Sequence, residues 1–176
     1  SFHVLAAIIS LVFAPIAMYV QKGGTAHRRW GKAYFWGMVV ANLTAFVLLF
    51  YRFNIFLLGV TVLSLYAAVT GYRVLFRKRP SSGTNANWFD WSIAAATLLM
   101  ALALIAWGGT ALLGGSPIGI PAGGDVPIVF IILPIVFGLM IGQSAITDLL
   151  AFRKPPASRR WWWYYHMDRM LGSYIG

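Results

Sequence analysis

Five stretches of this chain stay apolar for 19 to 25 residues and are separated by short polar or basic segments. They are Phe2–Val20, Ala33–Tyr51, Ile55–Phe76, Trp91–Leu113 and Val126–Leu150. At the rise of an α-helix the shortest covers about 28 Å, one hydrocarbon core. In lipid the backbone must satisfy its own hydrogen bonds, so such segments are predicted to be helices. A sixth helix starts around Trp162–Tyr165. The pattern predicts an all-α integral membrane bundle. It has one domain over 1–176, five complete spans and the start of a sixth, with both ends of the chain truncated. Pro15 is expected to kink the first span and Asn87 to cap the fourth.

Charge adds an orientation. Lys22, Arg28, Arg29 and Lys32 lie between spans one and two, and Arg73, Arg77, Lys78 and Arg79 at the end of span three. Arg153, Lys154, Arg159, Arg160 and Arg169 lie between spans five and six. Alternation puts these 13 of the 14 Lys and Arg residues on one side, and leaves Arg52 and the Gly-rich loop Gly114–Asp125 on the other. The positive-inside rule makes the basic loops cytoplasmic. Composition agrees, with 60% hydrophobic and only 10% charged residues. A net charge of +10 in a soluble domain would point to nucleic acid. Here no nucleic acid is expected, and Arg28, Arg29, Arg159 and Arg160 are expected to face anionic lipid at the membrane surface. With no Cys, disulfides, thiolate nucleophiles and iron–sulfur ligation are excluded.

Small residues recur at spacings that let helices approach closely. Ala6, Ser10 and Ala14, then Gly37, Ala41 and Ala45, stand four apart, and Gly138 and Gly142 form a G-x-x-x-G pair. Asn42 and Gln143 are expected to hydrogen-bond between helices. Trp161–Trp163 with Tyr164 and Tyr165 fits an interfacial aromatic belt.

Three His are present. His3 stands at the far end of span one from the basic loops, so geometry disfavours one three-His metal site, and no metal ligands are assigned. His27 and His166 have similar surroundings, HRRWGKAYFWG and HMDRMLGSYIG, each entering a span from the basic side. On one helix His27, Gly31 and Tyr34 share a face; on the other His166, Met170 and Ser173 do. Side by side, these faces would offer imidazoles, a thioether and hydroxyls, which suits the edge of a b-type haem or a quinone head group. The candidate cofactor-binding residues are therefore His27, Gly31, Tyr34, His166 and Met170. A proton relay through Asp148 or Asp168 is the other use of this His pair, and an ion pair with Arg153 or Arg169 is the structural use of the same carboxylates.

No protease, hydrolase, P-loop or dinucleotide signature is present, and no catalytic residue is assigned. The expected role is a non-catalytic accessory or assembly subunit of a larger membrane complex, with other membrane subunits or pigment–protein complexes as partners. A redox protein holding one haem or a quinone is the alternative.

The segment from Lys22 to Met38, KGGTAHRRWGKAYFWGM, resembles the K-G-x-x-H-R-x-x-G-x-x-Y segment of an uncharacterised bacterial family of polytopic predicted inner-membrane proteins. HMDRMLGSYI, from His166 to Ile175, resembles that family's H-x-x-x-M-x-x-S-Y segment. The resemblance implies a multi-pass helical bundle in the bacterial inner membrane and brings no activity. Some members are similar at fold level to four-helix b-type cytochromes. Two imidazoles would allow one haem here, not two.

Overall fold

The computed structural model describes residues 2–78, 85–115 and 127–175. Within them the chain forms α1 (Phe2–Tyr19), α2 (Thr25–Tyr51), α3 (Ile55–Arg73) extended by a 3-10 turn (Val74–Phe76), α4 (Trp88–Leu112), α5 (Ile128–Arg153) and α6 (Trp161–Ile175). The described residues contain no strand. Five helices are long and apolar enough to cross a membrane. Val126, the expected start of the fifth span, and most of the Gly-rich loop lie outside the described residues.

Helix α2 begins eight residues before the expected Ala33. Arg28, Arg29 and Lys32 end the apolar stretch, but all three are good helix formers, and the helix continues past them beyond the apolar segment. Helix α1 runs through Pro15 as one continuous element, with the proline exposed. Asn87 caps α4 as expected. It accepts from the Asp90 N–H at 3.1 Å, while the Asp90 carboxylate accepts from the Asn87 N–H at 3.1 Å, a reciprocal capping box. Arg73 donates to both Asp90 oxygens at 2.9 and 3.0 Å, tying the end of α3 to the start of α4.

Small residues set the contacts, as their spacing predicts. A Cβ on Gly37 would lie 2.5 Å from Ser10 Oγ, so α1 and α2 touch through buried Ala6, Ser10 and Ala14. Helices α4 and α5 interlock through two glycines: a Cβ on Gly108 would lie 2.8 Å from the Ile131 carbonyl oxygen, and one on Gly138 2.8 Å from that of Ala101. This close approach of backbones is the packing that lipid favours, where burial of apolar side chains gives no advantage.

Helix α3 is the hub and packs on α2, α4, α5 and α6. Four helices form a ring: α1 on α2, α2 on α3, α3 on α6, and α6 back on α1. The two diagonals, α2 to α6 and α1 to α3, bring no Cα atoms within 8 Å of one another among the described residues. The α4–α5 hairpin lies outside this ring against α3. Alternation collects the described basic clusters at one end of the bundle, with Arg52 at the other.

Candidate ligand site across the four-helix ring

Helices α2 and α6 are parallel and stand opposite each other in the ring. Their meeting point is a hydrogen bond between the Tyr34 hydroxyl and Ser173 Oγ at 2.7 Å, between residues 139 positions apart. His27 and His166 are also 139 positions apart, each two turns before its member of that bond. The two imidazoles therefore sit at one level, within electrostatic range of each other. Gly31 and Met170 fall between, again at equal positions.

Each ring is held by backbone. His27 Nδ1–H donates to the Ala17 carbonyl of α1 at 2.8 Å, and His166 Nδ1–H to the Gly71 carbonyl of α3 at 2.7 Å. A carbonyl only accepts, so Nδ1 carries the proton and, in the neutral ring, Nε2 keeps a lone pair. Neither Nε2 has a hydrogen-bond partner among the described residues. A Cβ on Gly31 would meet nothing within 4 Å, so α2 leaves open space there. Met170 leans instead toward α3, its methyl group 3.5 Å from where a Gly71 Cβ would be. Of the five candidate residues, Tyr34 reaches across to α6, His27 is turned to α1, His166 and Met170 are turned to α3, and Gly31 faces open space. His3 stands apart: its Nδ1 bonds the Ala41 carbonyl and Thr44 Oγ1, each at 3.0 Å.

Beyond the Tyr34–Ser173 bond, toward the end bearing Arg52, a cavity of about 550 Å³ opens between α1, α2, α3 and the end of α6. Its walls are mainly apolar, with His3, Asn42, Thr61 and Ser64 among the lining, and they do not include His27 or His166. Asn42 does bridge helices, donating to Ser64 Oγ at 3.5 Å. Gln143 is exposed, and no side-chain bond of it occurs among the described residues.

The rotation of α6 is set by a cluster of which the sequence offered the Asp148–Arg169 ion pair but not the two tyrosines. Asp148 of α5, 1% exposed, accepts from Tyr66 Oη of α3 at 2.5 Å, Tyr165 Oη at 2.7 Å and Arg169 Nη2 at 3.0 Å. Tyr165 and Arg169 are one turn apart and flank His166, so pinning them turns His166 and Ser173 toward α2 and α3. Asp148 is thus committed to an ion pair with Arg169 rather than to a relay through His166, and Asp168 is exposed. An Asp in an apolar run, with Tyr and Arg four apart on a later helix, was the available signal. Arg28, Arg29, Arg159 and Arg160 lie at the basic end, all four exposed.

The described residues contain no group of three or more His, Cys, Asp or Glu side chains able to hold a bare metal ion. No protein-family model, curated protein or solved structure matches the chain.

Proposed function

We propose that this is a multi-pass protein of the bacterial inner membrane, its basic end in the cytoplasm, that holds one redox prosthetic group, a b-type haem or a quinone, between His27 and His166. One observation carries the reading: two imidazoles at equal depth on opposite helices of a ring, each oriented by a backbone carbonyl. A carbonyl bond to one ring nitrogen fixes the direction of the imidazole and leaves the other nitrogen free for a ligand. Gly31 supplies room beside them. The arginines at the same end would meet anionic headgroups.

The test uses Gly31→Phe. Open space at this position lets the fold tolerate the ring, while a bound group between α2 and α6 would be displaced. Protein purified from the membrane in mild detergent is extracted with organic solvent, and the extract is read by absorbance and mass spectrometry. A prosthetic group present in the parent, lost in Gly31→Phe and in His27→Ala, and kept in His3→Ala supports the site. Its absence from the parent, or its retention in all variants, refutes it.

The accessory-subunit reading has its own support, and the two are compatible. On α4 the side chains of Ala95, Ala96 and Ala103 are exposed, so a further helix of another membrane subunit, such as one in a pigment–protein complex, could approach closely. Native mass spectrometry that finds only a monomer in mild detergent would count against it.

A further inference from the structure

We infer that the group between His27 and His166 is an iron porphyrin bound by both Nε2 atoms on an approximate two-fold axis that runs along the four-helix ring. This rests on the proposed cofactor site and names its ligand.

The two-fold relation appears first in the bonds. Ala17 and Gly71, which accept from the two imidazoles, each stand two residues before the last residue of their helix, α1 and α3. They are 54 positions apart, as are Ser10 and Ser64 and, between them, Ala14 and Ala68, the four last-named all buried. The pair α1–α2 thus corresponds to α3–α6, with the α4–α5 hairpin inserted between α3 and α6. The Tyr34–Ser173 bond joins corresponding residues, so it straddles the axis. His27 and His166 are presented by one device, repeated, from opposite corners of the ring.

The chemistry of the exposed atoms then selects the ligand. In the neutral ring each free nitrogen is a lone pair. An oxidised quinone offers carbonyl oxygens, which require donors, and a neutral ring whose Nδ1–H is engaged has no N–H left to give. Two lone pairs at one level on opposite helices of the ring suit a Lewis acid with two opposite open positions. A bare zinc or copper ion would need further protein ligands, and the described residues supply no such cluster. A metal that brings its own equatorial donors meets the requirement, and iron porphyrin is the biological case. The polarity of the surroundings orients it. The Tyr34–Ser173 bond closes the side toward Arg52, while Lys78 lies within electrostatic range of His166 at the basic end. The carboxylates of the porphyrin therefore face the basic end.

Hemin is titrated into the purified chain in detergent and followed by absorbance and electron paramagnetic resonance. The expected result is one hemin per chain with a six-coordinate, low-spin signature. His27→Ala and His166→Ala should each convert it to a high-spin form, to the same extent, and His3→Ala should leave it low-spin. High-spin hemin in the parent, or a change in only one of the two variants, overturns the bis-imidazole assignment. If the solvent extract of the parent holds a quinone that Gly31→Phe removes, and hemin does not bind, the site stands and the porphyrin falls. If the extract holds nothing and hemin does not bind, both fall.

Discussion

Replacing Arg169 by Met removes one charge from a pair that water hardly reaches. The Asp148 carboxylate is 1% exposed and the Arg169 side chain 9%. Without the guanidinium, Asp148 keeps only the hydroxyls of Tyr66 and Tyr165. Breaking a buried pair from one side costs about 3–5 kcal/mol, because the remaining charge stays desolvated. Asp148→Leu strands the arginine and should cost a similar amount. The double variant strands neither charge. It loses the two tyrosine bonds, each worth roughly 0.6 kcal/mol inside a membrane protein, and so should cost only about 1 kcal/mol. The double-variant cycle therefore predicts strong coupling, with the second substitution restoring most of what the first removed. Reversible unfolding in mixed detergent micelles, followed through tryptophan fluorescence, measures all three. Single variants that cost under about 1 kcal/mol, or a double variant whose loss equals the sum of the singles, would refute the argument that this pair is buried and mutually dependent.

At the α4–α5 contact, Gly138→Ala should destabilise by about 1–3 kcal/mol, because its methyl group meets the Ala101 carbonyl at 2.8 Å, while Gly109→Ala, with open space around it, should be neutral in the same unfolding assay. For topology, Gln21→Cys and Asn85→Cys should label from the cytoplasmic side and Phe53→Cys from the other; equal labelling of all three from one side would end the proposed orientation.

Hydropathy located the five long apolar helices because a bilayer would require segments of that length. It misplaced the start of α2 because Arg28 and Arg29 are excluded from lipid but not from helix. The small-residue contacts were legible for a similar reason: only Gly leaves room for the approach at Gly37 and Gly138. The positions of His27 and His166 on facing helices could be suggested from their matched surroundings. Their carbonyl partners could not, since Ala17 and Gly71 contribute backbone that carries no side-chain signal. The Asp148 cluster draws on three helices, α3, α5 and α6, and such long-range convergence leaves no local spacing to read.

The Asp148–Arg169 pair also bears on how the chain is assembled at the translocon. Helix α5 is made before α6, so Asp148 emerges from the ribosome without its counter-ion. It lies five residues before the end of α5, about 7.5 Å from it, where a carboxylate can still reach interfacial water. Between Trp161 and Ile175, helix α6 carries His166, Asp168 and Arg169, side chains that oppose its partitioning into lipid. Docking would supply what hydrophobicity does not: Arg169 meeting Asp148 would offset the insertion penalty of each charge and bring α6 in against α3 and α5. The contact that would bring α6 in against α3 and α5 would then also bring His166 to the level of His27, so that one docking step serves both.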